Sequence, residues 1–97
     1  NFRIEVAIAL LAIGLGFYLR IDWQEWLWIS LAITLVLAAE AINTAIELTL
    51  DRMGAEFHTS TKQAKDIAAG AVVLCCLHAI VVGSVVFGPK LWTLLFT

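Results

Sequence analysis

A row of polar residues lies inside a segment that is otherwise apolar enough to cross a membrane. The four residues follow one another at spacings of three, four and four: Glu40, Asn43, Glu47 and Asp51. At about 100° per residue they fall within an arc of roughly 80° on one face of a helix. A carboxylate in hydrocarbon costs on the order of 3 kcal/mol, so this polar stripe must face protein, water, a metal or a substrate. A chain of this kind is a candidate membrane enzyme or transporter.

The composition supports a membrane setting. Hydrophobic residues make up 62% of the 97 residues and charged residues 14%, against about 25% charged in typical soluble domains. A soluble monomer of this length could not bury so much apolar surface. The formal net charge is −2, and the sequence lacks the basic patch that nucleic acid requires, which argues against a nucleic-acid partner. The two cysteines, Cys75 and Cys76, are adjacent and are spaced neither for zinc nor for a disulfide with each other.

Three apolar segments predict an all-α protein, a single domain with three transmembrane helices. The spans cover about residues 4–20, 26–51 and 65–87, near the length of about 20 residues that a bilayer requires. The short connection after the first span predicts an antiparallel hairpin of the first two helices. Gly88-Pro89 is expected to end the third helix, because proline cannot continue the hydrogen-bond ladder. Residues 91–96 are then too few to span and are expected to lie at the interface.

The positions of lysine and arginine predict the orientation in the membrane. They divide four to two between its sides: Arg3, Arg52, Lys62 and Lys65 against Arg20 and Lys90. The positive-inside rule then places the amino terminus and the connection after the second span in the cytoplasm. The polar stripe therefore lies at the cytoplasmic end of the second helix, within reach of soluble nucleotides.

A second polar cluster, Lys62-Gln-Ala-Lys65-Asp66, begins the third helix. Together with the stripe it supplies what phosphoryl transfer needs: carboxylates for Mg²⁺, a lysine for phosphate oxygens and a base for an attacking hydroxyl group. Glu40, the deepest carboxylate, is the candidate base. Two other interpretations are open from these residues. One is a small ion- or proton-coupled transporter subunit, in which intramembrane glutamates relay protons. The other is a structural subunit in which the stripe is a packing network.

Several segments resemble the small prokaryotic membrane diacylglycerol kinase and undecaprenol kinase family. Residues 40–51, Glu-Ala-Ile-Asn-Thr-Ala-Ile-Glu-Leu-Thr-Leu-Asp, match the family signature E-x-x-N-[ST]-[SA]-[IL]-E-x-x-x-D. Residues 51–58 and 64–72 look like its second and third blocks, and residues 1–5 resemble the start of its first span. The resemblance implies a three-span homotrimer of the bacterial inner membrane with active sites between subunits. Such an enzyme uses Mg-ATP to phosphorylate the hydroxyl group of a membrane lipid.

The same resemblance implies a role for each polar residue at a matching position. Glu40 would be the general base and, with Glu5, would contact the lipid substrate. Asn43 would orient phosphate or the attacking hydroxyl group. Glu47 would bind Mg²⁺, and Lys65 would pair with the phosphates of ATP. Four residues would line the nucleotide end of the site: Asp51, Glu56, His58 and Asp66.

Two properties of the family are not settled by this sequence. The family has an amphipathic surface helix before the first span, with a second metal-binding glutamate, and neither is among these 97 residues. The lipid substrate is also open between diacylglycerol and undecaprenol. Residues 68–72 look slightly more like the undecaprenol kinases, whereas residues 51–58 look more like the diacylglycerol kinases.

Overall fold

Three α-helices make up most of the protein in the computed structural model, which describes residues 2–53 and 59–97. Helix α1 is Phe2–Leu19, α2 is Trp23–Arg52 and α3 is Thr59–Phe96. Each helix is long and apolar enough to cross a membrane, and neither described range contains a strand. The prediction of an all-α chain with three candidate membrane spans is therefore confirmed.

The connection between α1 and α2 is short because a capping box starts α2. The Asp22 carboxylate accepts a hydrogen bond from the Glu25 amide at 2.9 Å, and the Glu25 carboxylate accepts one from the Asp22 amide at 3.1 Å. These reciprocal bonds satisfy amides that have no partner within the first turn of a helix. As a result α2 begins at Trp23, earlier than the start near residue 26 that the apolar pattern predicted.

The hydrophobic core lies at the end of the bundle that holds this connection. Its buried members come from the connection, α2 and α3: Ile21, Ile29, Ala32, Val82, Val86 and Phe87. Gly16 lets Trp26 of α2 pack closely on α1, since a Cβ at position 16 would lie 2.6 Å from Cη2 of Trp26. The Trp26 ring also packs on Phe17, with ring centroids 4.9 Å apart. The bundle is therefore tightly packed at the end remote from Asp51.

Helix α3 does not end at Gly88-Pro89, so this prediction was wrong. The helix continues through Pro89, although proline removes one hydrogen bond from the ladder. Contacts on both sides of the proline hold the helix in line. Phe87 is buried in the core and Leu91 packs against it, while the Lys90 ammonium lies 3.4 Å from the Glu25 carboxylate of α2.

The bundle is long enough to cross a bilayer, and its flanks are apolar. The molecule measures 59 × 21 × 18 Å, and large apolar side chains such as Leu11, Leu48 and Ile67 are exposed on its flanks. Helix α2 has 30 residues and is therefore about 45 Å long, close to the thickness of a bilayer with its headgroups. This length is enough to reach from one headgroup layer to the other.

Candidate active site

Three side-chain pairs lie along the polar stripe, and each brings a stripe residue to a different partner. The pairs are Glu40 with Glu5 of α1, Asn43 with Glu47 of α2 itself, and Asp51 with Lys65 of α3. All four stripe residues belong to one helix, which extends them over about 16 Å at 1.5 Å per residue. The stripe therefore collects polar groups from all three helices.

The deepest pair consists of two carboxyl groups. Glu5 and Glu40 lie within side-chain interaction distance of each other, and both residues are half-buried. The Oε2 atom of Glu5 is buried and has no hydrogen-bond partner within the described part of the chain. Two ionised carboxylates repel each other unless a donor or a shared proton lies between them. This place therefore suits the hydroxyl group of a ligand, which can donate its proton to a carboxylate.

The middle pair joins an amide to a carboxylate. Asn43 is 8% exposed, and its Nδ2 donates a hydrogen bond to Oε1 of Glu47 at 2.9 Å. Its Oδ1 is buried and finds no donor among residues 2–53 and 59–97. A hydrogen bond to a carboxylate is short and comparatively strong, so Asn43 holds Glu47 in position. The same side chain keeps one acceptor available for a ligand.

The outermost pair is an ion pair between helices. The Lys65 ammonium lies 2.7 Å from the Asp51 carboxylate, with side chains 39% and 63% exposed. Asp66, predicted at the nucleotide end, pairs with Lys62 of the same helix at 2.8 Å, and both side chains are exposed. The structure therefore brings Lys65, and not Lys62, to the stripe.

Two predicted nucleotide-binding residues, Glu56 and His58, lie outside the residues that the structure describes. Their placement at the nucleotide end stays a prediction.

The donor groups along the stripe suit a Mg²⁺ ion that is shared with phosphate oxygens. Across the two described ranges, no three carboxylate, histidine or cysteine side chains come together to hold a metal ion. Mg²⁺ is commonly held by one or two carboxylates together with phosphate and water oxygens. The Glu47 carboxylate, fixed by Asn43, fits this mode, in which the ion arrives with a nucleotide.

An apolar groove of about 510 Å³ extends from the level of Glu5 towards the core. All three helices contribute to it, for example through Leu15, Val36 and Ile80, and Glu5 is the charged residue in its lining. The free thiol of Cys76 also lines it. From Glu5 to Leu15 the groove follows about 15 Å of α1. The sequence did not predict this groove, because apolar residues that line a groove cannot be distinguished by sequence from those that pack in a core. The one indication of a groove was Glu5, an isolated charged residue in the first apolar segment.

Comparison with known proteins gives consistent matches. Residues 1–87 match the family described as prokaryotic diacylglycerol kinase. An undecaprenol kinase of Bacillus subtilis (strain 168) is 37% identical over 91 residues, covering 94% of this chain and 74% of that protein. A diacylglycerol kinase of Helicobacter pylori (strain J99) is 37% identical over 95 residues, covering 98% and 71%. A diacylglycerol kinase of Escherichia coli (strain K12) is 32% identical over 80 residues, covering 82% and 66%.

Proposed function

This chain belongs to the prokaryotic diacylglycerol kinase family, and we propose that it transfers the γ-phosphoryl group of Mg-ATP to the hydroxyl group of a membrane lipid. The observation that carries the proposal is the row of three polar pairs along α2. This row offers a carboxylate base, an amide, a second carboxylate and a lysine on one face of the bundle. Membership of a kinase family argues against the transporter and structural-subunit interpretations.

Proton transfer is assigned to Glu40. The lipid hydroxyl oxygen attacks the γ-phosphorus in line, the new O–P bond forms, and the bond to the β,γ-bridging oxygen breaks to release ADP. The hydroxyl proton passes to the Glu40 carboxylate. Glu5 would orient the hydroxyl group, because its Oε2 is buried without a hydrogen-bond partner in the described residues.

The other polar residues would act on the nucleotide. Glu47 would hold the Mg²⁺ of Mg-ATP, which supplies positive charge against the phosphate oxygens. Asn43 fixes Glu47 through its Nδ2 and would thereby orient the phosphates that the Mg²⁺ accompanies. Lys65 would leave Asp51 and bind the phosphates, since its side chain is 39% exposed. The rest of the nucleotide end would be lined by four residues: Asp51, Glu56, His58 and Asp66.

The lipid would place its apolar chain in the groove of about 510 Å³ that begins at Glu5. The undecaprenol kinase and the Helicobacter diacylglycerol kinase are both 37% identical to this chain. The proposed substrate is therefore the class of lipid that both names share, a long apolar lipid with a free hydroxyl group. A homotrimer would cover apolar flanks and close the site from outside. The enzyme would reside in the bacterial inner membrane with the stripe at the cytoplasmic face, where ATP is present.

The test is transfer of labelled γ-phosphate from ATP to lipid by the purified full-length protein. Diacylglycerol and undecaprenol are offered separately, each with a matched lipid that lacks the free hydroxyl group: triacylglycerol and undecaprenyl phosphate. Labelled product is expected with a hydroxyl lipid and not with its control. Absence of product from both hydroxyl lipids, in protein that binds ATP, would overturn the proposal. Cross-linking of the same sample would show a trimer, and a monomer would contradict the shared site.

A further inference from the structure

We propose that a groove at the end of the bundle opposite the polar stripe binds the phosphate group of an anionic phospholipid. The groove has a volume of about 580 Å³ and lies between the end of α1 and the last turns of α3. Two cations, Arg20 and Lys90, line it together with Tyr18, Thr93 and three apolar residues. It shares no lining residue with the apolar groove at Glu5.

Three of the lining side chains can donate hydrogen bonds to phosphate oxygens. They are the guanidinium of Arg20, the ammonium of Lys90 and the phenol of Tyr18. The hydroxyl group of Thr93 already donates its hydrogen bond to the Pro89 carbonyl at 3.0 Å, so its proton is not available to a phosphate oxygen. Two cations and a phenol around one groove are complementary to a phosphate group.

The carboxylates nearest to this groove do not line it. Asp22 and Glu25 are engaged in the capping box at the start of α2, and Glu25 also lies 3.4 Å from the Lys90 ammonium. An ammonium group has three donors, so Lys90 keeps donors for a second acceptor. The lining itself holds both cations and neither of these carboxylates.

The backbone at Arg20 gives a second, independent indication. Arg20 has a φ of 55°, in the left-handed region that favours glycine or asparagine after the end of a helix. A residue with a Cβ is strained there, so an arginine at this position carries a conformational cost. Its guanidinium, however, lines the groove and suits bidentate contact with phosphate.

The groove lies at the level of the lipid headgroups, which indicates that a lipid supplies the phosphate. The groove lies at the Trp23 end of α2, whereas Asp51 lies at the other end, and the helix between them spans the bilayer with its headgroups. Trp23 and Trp92 are 70% and 65% exposed and mark this end as a membrane interface. Leu19 and Leu94 of the lining offer apolar contact to the start of an acyl chain.

The tryptophans provide a reporter for this end of the molecule alone. The chain has four, and they lie in the first turns of α2 or next to the groove residues of α3: Trp23, Trp26, Trp28 and Trp92. In phosphatidylcholine bilayers, brominated phosphatidylglycerol should quench their fluorescence more than brominated phosphatidylcholine at equal mole fraction. The doubly substituted Arg20→Gln, Lys90→Gln protein should lose at least about tenfold in this preference, since a single hydrogen bond to a charged group already contributes about that factor.

A matched control removes a cation from the far end of α2. Arg52→Gln should keep the wild-type preference for phosphatidylglycerol. Arg20→Gly keeps the experiment decisive if the double substitution fails to fold, because glycine relieves the positive φ while removing the guanidinium; its preference should also fall. The proposal fails if the Arg20 variants keep the preference, or if Arg52→Gln loses it equally. It also fails if the wild-type protein shows no preference for phosphatidylglycerol yet binds inorganic phosphate, because the ligand is then free phosphate.

Discussion

A Glu40→Gln substitution would remove the proposed proton acceptor while keeping the size and shape of the side chain. General-base catalysis contributes about 10²- to 10⁴-fold to a rate, which corresponds to roughly 3–5 kcal/mol of transition-state stabilisation. We therefore expect the rate of lipid phosphorylation at saturating ATP and lipid to fall by 10²- to 10⁴-fold. Binding of ATP should change little, because the nucleotide contacts proposed for Lys65 and Glu47 lie further along the stripe.

The same substitution should not destabilise the protein. Glu40 faces the Glu5 carboxyl group, and Oε2 of Glu5 is buried without a hydrogen-bond partner among the described residues. Glutamine removes one of two like charges and supplies an amide donor to the other. A hydrogen bond to a charged group contributes about 1.5–3 kcal/mol when fully desolvated. Because both residues are only half-buried, we expect the free energy of unfolding to rise by on the order of 1 kcal/mol.

Glu5→Gln is the matched control for this pair. It relieves the same contact between carboxyl groups but retains the base at Glu40. The two variants should gain similar stability in detergent unfolding followed by tryptophan fluorescence, whereas Glu40→Gln should lose far more activity. The reasoning would be refuted if Glu40→Gln kept more than half of the wild-type rate. Equal loss of activity in both variants would show that Glu40 is not distinguished from Glu5 as the base. Destabilisation of both variants would contradict the repulsion between the two carboxyl groups.

Four further substitutions test the rest of the arrangement. Glu47→Gln should raise the Mg²⁺ concentration for half-maximal rate by about tenfold, because an amide oxygen lacks the charge that this hard cation favours; an unchanged half-saturation point would contradict the metal assignment. Lys65→Ala should lower kcat by about 10-fold or more, whereas Lys62→Ala, which breaks an exposed pair on α3, should keep kcat within about twofold of wild type. The reverse order in steady-state ATP kinetics would show that the phosphates do not bind at Lys65. Gly16→Ala should lower the free energy of unfolding by about 1–3 kcal/mol, because its Cβ would lie 2.6 Å from Trp26; unchanged detergent unfolding would show that the ring moves aside without loss of packing.

Spacing and hydropathy were enough to predict much of the architecture. The intervals between the stripe residues identified one helix face, and the helix Trp23–Arg52 carries all of them. The contact of Asp51 with Lys65, across a sequence separation of 14 residues, was also accessible from sequence. A short connection between two antiparallel helices brings the end of one next to the start of the other.

Features that depend on how the helices are rotated were not accessible in this way. Membrane helices are apolar on most faces, so hydropathy does not tell which face of α1 meets α2. The partnership of Glu5 with Glu40 and the groove beside it follow from that rotation. The bond between Asp66 and Lys62, by contrast, joins residues one turn apart on α3 and does not depend on this rotation. The start of α2 at Trp23 follows from the sequence as well, since Asp22 and Glu25 have the spacing of a capping box, which extends the helix beyond its apolar pattern.

Pro89 shows why a rule for soluble helices failed in this chain. Proline in a helix removes one backbone hydrogen bond and strains the preceding turn. A chain that ended its helix there would instead leave the last four carbonyl groups without helical partners, and each would cost several kcal/mol wherever water does not reach it. Continuing the helix is therefore the smaller loss, and the packing of Phe87 and Leu91 at the core holds the two parts in line. The continuous helix also carries Lys90 to Glu25 and to the groove that it shares with Arg20, so the cationic groove exists because the proline does not end α3.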